Sequence, residues 1–183
     1  MSIKSVCVYC ASNHKTPEPM RIVARNVGRG IAEMGLHLVY GGASIGMMGE
    51  VAGSALVAGG EVTGIIPEDL MQKEVPPANL TELIVTENMH VRKMTMFNMS
   101  DAFVSLPGGI GTLEETMEII TWKYLGLHDY PILILNHEGF FDHLLKQFER
   151  CIKDGVMLEE VIRLLHFCDT VDDLLQHLEN GRQ

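Results

Sequence analysis

Ala102-Phe103-Val104-Ser105-Leu106-Pro107-Gly108-Gly109-Ile110-Gly111-Thr112-Leu113-Glu114-Glu115 reads as strand, glycine loop and helix. The first five residues form a short apolar run of the kind found in buried strands, and a helical pattern sets in at Thr112. Between them, Gly108, Gly109 and Gly111 let the backbone approach a ligand closely, and the first amides of a helix are unpaired donors backed by the positive end of its dipole. A phosphate would satisfy those amides, with the Thr112 hydroxyl beside them. Glu114 and Glu115 follow at about 1.5 Å of rise per residue, so an acid stands close to whatever the phosphate carries.

The same alternation runs outward in both directions. Strand candidates are Ser5 to Tyr9, Leu36 to Tyr40, Glu61 to Ile66, Glu82 to Thr86, Ala102 to Leu106 and Pro131 to Leu135. Helical patterns fall at about Pro17 to Met34, Ile45 to Ala58, Met89 to Met99, Thr112 to Leu125 and Phe140 to Lys153, with shorter ones at Leu158 to Arg163 and Val171 to Glu179. Strands that alternate with helices predict an α/β fold, a Rossmann-like doubly wound parallel sheet with helices on both faces. At 183 residues, the expectation is a single nucleotide-binding domain over 1–183. In such sheets ligands bind beyond the carboxyl ends of the strands, where strand order reverses. Three loops occupy such ends: Ala11-Ser12-Asn13, Gly41 to Gly49, and Pro107 to Thr112. The second fails the dinucleotide spacing and follows the second strand, so its glycines read as turn formers. The segment from Pro67 to Asn79 is long for a compact domain, as functional loops often are.

With 14 Lys+Arg against 24 Asp+Glu, the net charge of -10 disfavours nucleic-acid polymers and anionic membranes as partners. A small anion held by backbone amides remains compatible, since surface charge is screened beyond about 10 Å. No apolar stretch is long enough to span a membrane, and the opening run is too short for a signal peptide, so a cytoplasmic location is expected. Cys7-Val8-Tyr9-Cys10 spells C-x-x-C, but an offset of three on a strand points the two sulfurs to opposite faces. Buried small hydrophobes are the better reading.

Arg92 and Lys93 open the helix before the glycine loop. Charges there are usually solvated, yet the rim they occupy is the one the loop shares, and Arg suits phosphate or carboxylate recognition. On the following helix, Glu114, Glu118 and Thr121 share a face and Glu115 stands a quarter-turn away. Acids in a first turn can also serve only the helix dipole, which leaves the two readings of Glu114 and Glu115 even. His137-Glu138 with His143, and His128-Asp129, lack metal-site spacing and read as surface or turn residues. Met89, Met94, Met96 and Met99 read as a packing or subunit surface.

Together, Gly41-Gly42-Ala43-Ser44, Gly46-Met47-Met48-Gly49, Arg92-Lys93, the Pro107 to Glu115 segment and Thr121-Trp122 resemble the Lonely Guy family over nearly the whole chain. Its P-G-G-x-G-T-x-x-E hallmark is met in full, with Glu115 as the final acid. The resemblance implies a homodimeric nucleoside 5′-monophosphate phosphoribohydrolase, an N-glycosidase that releases the base from AMP or a cytokinin riboside monophosphate. It further implies Arg92 and Glu115 as the catalytic pair, and substrate contacts from Glu74, Lys93, Gly109, Ile110, Gly111, Thr112, Leu113, Glu114 and Thr121. Such a reaction needs no metal and no cofactor. The lysine decarboxylase label once attached to such proteins finds no identifiable pyridoxal site in this sequence. The competing class is a non-catalytic binding protein of the same fold, such as a molybdenum-cofactor carrier or a nucleotide sensor, and Arg92 together with Glu115 is the discriminating feature.

Overall fold

The computed structural model describes residues 2–71 and 74–182. Strands β1 (Ser5–Tyr9), β2 (His37–Tyr40), β3 (Val62–Pro67), β4 (Glu82–Thr86), β5 (Ala102–Ser105), β6 (Ile132–Leu135) and β7 (Leu165–Cys168) form one sheet in the order β4-β3-β2-β1-β5-β6-β7. All neighbouring pairs are parallel. The intervening helices are α1 (Glu18–Glu33), α2 (Gly46–Val57), α3 (Met89–Asn98), α4 (Ile110–Tyr124), α5 (Asp142–Lys153), α6 (Glu160–Arg163) and α7 (Val171–Asn180).

Central β1 is buried along its whole length because both of its faces are covered. Val6, Val8 and Cys10 pack with Val27 of α1, Val51 of α2 and Leu174 of α7. Cys7 and Tyr9 face the other way, toward Met96 of α3, Ile119 of α4 and Phe148 of α5. The two sulfurs of the C-x-x-C therefore lie in opposite layers, and burial pushes both thiols well above their usual range. Neither is poised for redox chemistry.

Strand β7 is absent from the expectation. It has four residues, includes exposed His166, and is wedged between two short helices, so its alternation is too brief to read. Helix α4 starts at Ile110, two residues earlier than expected, because Gly109 is the extended N-cap residue and Gly111 is already helical. Glu114 and Glu115 consequently fall beyond the first turn, where the dipole no longer explains them. His128 is buried rather than exposed: Nε2 bonds to the Ile119 carbonyl at 3.0 Å and Nδ1 accepts from the Tyr130 amide at 3.2 Å. Among the described residues, no helix is long and apolar enough to cross a membrane.

Candidate active site

Strand order reverses between β1 and β5, and the register sets Val8 level with both Tyr40 and Val104. The loops leaving these strands are knitted together. The Ala11 amide donates to the Pro107 carbonyl at 3.3 Å, and the Met48 amide donates to the Ala11 carbonyl at 3.2 Å. A cleft of about 680 Å³ opens over this junction, walled by the loop from Cys10 to Pro17 on one side and by Pro107 to Glu115 on the other. That size suits a nucleotide-scale ligand.

At the head of α4 no side chain caps the helix, so its first amides lack an internal acceptor. The glycines divide by role. A Cβ on Gly108 would meet the Thr112 hydroxyl oxygen at 2.1 Å, so Gly108 makes room for a threonine at the cradle. A Cβ on Gly109 or Gly111 would meet nothing within 4 Å, and neither residue has a positive φ. The protein's own packing does not require glycine at these two positions; a ligand brought against the backbone would.

Beneath the cradle lie Arg92, 4% exposed, and Glu115, 5% exposed. Asn88 caps α3 by accepting from the Val91 amide at 3.0 Å, which fixes Arg92 one turn into the helix. Its Nε donates to the Ile65 carbonyl at 3.1 Å and its Nη2 to the Gly41 carbonyl at 3.4 Å, leaving Nη2 3.6 Å from Glu115 Oε1. A Cβ on Gly41 would stand 2.1 Å from that nitrogen. The Gly41-Gly42 loop thus seats the guanidinium instead of lining the cleft, a role its spacing did not reveal. Burial pushes the Glu115 carboxyl up to about 7, only partly offset by Arg92, with nearby Glu114 adding to the rise. A carboxyl with that affinity can give or take a proton near neutral pH.

The other expected residues separate in space. Gly108, Gly109, Gly111, Thr112 and Glu114 line the cleft, as does Glu74, whose carboxylate accepts from the Ser12 hydroxyl at 3.2 Å. Lys93 is outside the lining and instead pairs with Glu114 and, at 3.0 Å, with Glu118. Ile110 points outward at 85% exposure, and Leu113 packs into the core layer on the α4 side of the sheet. Thr121 donates to the Met117 carbonyl at 2.7 Å and borders a separate apolar hollow with Tyr124 and Phe148. Within one chain it does not reach the cleft. His14, Lys15, Met20 and Met89 join the lining without having been anticipated, as does Phe140 from the segment before α5. The first two follow the Ala11-Ser12-Asn13 loop, whose position beyond β1 was their available signal. Phe140 had none.

A family model described as "Possible lysine decarboxylase" matches residues 48–178. The cytokinin riboside 5′-monophosphate phosphoribohydrolase LOG5 of Arabidopsis thaliana is 40% identical over 96% of this chain and 77% of its own length. The enzyme LOG of Oryza sativa subsp. japonica, of the same name, is 39% identical over 96% of this chain and 73% of its own length. Among solved structures, the molybdenum cofactor carrier protein of Chlamydomonas reinhardtii superposes with a TM-score of 0.71 at 21% identity, covering 97% of this chain and 96% of its own. At that identity the likeness speaks to the fold alone. The match over 48–178 and the identities near 40% establish that this chain belongs to the Lonely Guy family, the group that holds the LOG phosphoribohydrolases.

Proposed function

We propose that this protein hydrolyses the N-glycosidic bond of a nucleoside 5′-monophosphate, AMP or an N6-modified adenosine monophosphate, to the free base and ribose 5-phosphate. The observation that carries the reading is Glu115, buried beside Arg92 about one and a half helical turns below an uncapped, glycine-flanked helix N-terminus. That rise, ~7.5 Å, is the scale of a bound phosphate plus the ribose it carries, so a phosphate on the cradle brings the anomeric carbon toward the carboxylate.

Cleavage builds positive charge on the ribose as the base departs. An ionised Glu115 stabilises that charge and takes the proton of the water that adds to the anomeric carbon, while the departing base nitrogen takes a proton from solvent and Glu115 then returns its own to solvent. Arg92, anchored on two carbonyls, holds the carboxylate in place. The cradle of Gly108, Gly109, Gly111 and Thr112 grips the phosphate, and Glu74 with Ser12 offers polar contacts on the facing rim. The reaction calls for no cofactor.

A homodimer in the cytoplasm belongs to the same proposal. Val91 and Met94 on α3 and Ile110 on α4 are exposed apolar residues beside the cleft, which favours a second copy there. That copy is the route by which outward-facing Thr121 would meet substrate.

The test is chromatography of the products from a panel of nucleoside monophosphates and their parent nucleosides. AMP or its N6-modified forms should yield free base, with the unphosphorylated nucleoside at least about a hundredfold slower. Equal turnover with and without the phosphate would contradict the reading. Binding of AMP with no product would favour the sensor or carrier class.

A further inference from the structure

We propose that His166, Cys168, Asp173 and His177 form a site for a thiophilic divalent cation of the Zn²⁺ class, which ties the last strand to the last helix. The site is unconnected with the cleft. It stands on β7, the edge strand two places removed from β5, and on α7, which packs against that end of the sheet.

Two periodicities bring the donors together. On a strand, residues two apart share a face, so His166 and Cys168 point the same way. Cys168 packs in the layer that holds Leu174 and Leu178, which makes that face the α7 side. On a helix, residues four apart lie one above the other, so Asp173 and His177 line up along α7. The Thr170 hydroxyl accepts from the Asp173 amide at 3.1 Å, fixing where α7 begins and hence which side its donors occupy.

The sulfur of Cys168, a carboxylate oxygen of Asp173 and a ring nitrogen of His177 all lie within 4.8 Å of one another. The His166 ring centroid is 5.0 Å from that of His177. Tetrahedral Zn²⁺ with sulfur and nitrogen ligands sets neighbouring donors about 3.5 Å apart, so closure asks for about 1 Å of side-chain rotation. Asp173 and His177 are 44% and 41% exposed and free to rotate, while buried Cys168 stays fixed. An exposed Asp173–His177 pair at 3.6 Å is common on helices and by itself marks nothing. What sets this pair apart is a buried thiol beneath it and a second imidazole beside it, giving one soft and three borderline or hard donors. That set selects Zn²⁺ over Mg²⁺ or Ca²⁺.

The experiment uses untagged, chelator-treated full-length protein with Zn²⁺ and Co²⁺ as probes. Competition with a chromogenic chelator should give one Zn²⁺ per chain, and Co²⁺ should produce a thiolate-to-metal charge-transfer band with tetrahedral d–d absorption. His177→Ala should weaken Zn²⁺ at least about tenfold, and Cys168→Ser should abolish the charge-transfer band. Zn²⁺ should also raise the melting temperature of the unsubstituted protein, and raise that of His177→Ala less at the same concentration. If Cys168→Ser does not fold, the His177→Ala comparison still decides, because that side chain lies at the surface. Absence of stoichiometric uptake, equal affinity in His177→Ala, or a band that survives Cys168→Ser would each overturn the proposal.

Discussion

Replacing Glu115 by Gln should stabilise the protein at alkaline pH while it removes turnover. Burial raises the carboxyl from 4.5 to about 7. Between those values the unfolded chain has released the proton and the folded chain still holds it, so wild-type stability falls as pH rises through the window and stays lower above it. A rise of about 2.5 units at 1.36 kcal/mol each makes the loss about 3 kcal/mol. Gln carries no such proton, and in the variant Arg92 faces a neutral group, as it does in the protonated wild type. The variant's advantage should therefore grow by about 3 kcal/mol between about pH 4 and about pH 8, read from paired urea melts at each pH. An advantage that does not change with pH, or that shrinks at the higher value, would refute the claim that buried Glu115 titrates near neutrality.

Gly111→Ala places a methyl in space that the protein leaves open inside a helix, so it should raise stability by up to about 1 kcal/mol while weakening AMP binding in calorimetry. Unchanged affinity would remove Gly111 from the cradle. Gly41→Ala should displace the Arg92 guanidinium and lower kcat at least about tenfold with the fold retained by circular dichroism; normal kcat would mean Arg92 need not sit where it does. The buried Tyr40 hydroxyl has no hydrogen-bond partner among the described residues, so Tyr40→Phe should be neutral or slightly stabilising in a urea melt. A loss above about 1 kcal/mol would show that the hydroxyl is satisfied in solution. The proposed mechanism makes the ionised carboxylate the active form, so kcat/KM should rise with pH through about 7 in the unsubstituted protein. A fall over the same range would assign Glu115 the role of an acid.

The sheet was legible wherever a strand is buried on both faces, since Val6-Cys7-Val8 and Phe103-Val104 then read as unbroken apolar runs. Edge strand β7 was not, because it has only four residues and exposed His166 interrupts the run between buried Leu165 and Cys168. In the site, the glycine loop announced itself through residue types that only close backbone approach explains. Arg92 carried no such mark. A buried arginine looks like a surface one until the carbonyls of Ile65 and Gly41, 27 and 51 residues away in sequence, come round to meet it. Lys93 adjoins Arg92 in sequence but turns away from the cleft, since adjacent helical positions do not face the same way, and Thr121 stands more than a turn beyond Glu115 along α4, bordering the apolar hollow instead.

The most direct measurement is a crystal structure of Glu115→Gln with AMP bound. The phosphate should accept hydrogen bonds from the first amides of α4 and from Thr112, with the anomeric carbon facing residue 115. Phosphate density elsewhere in the cleft, or a ribose turned away from that side chain, would contradict the account.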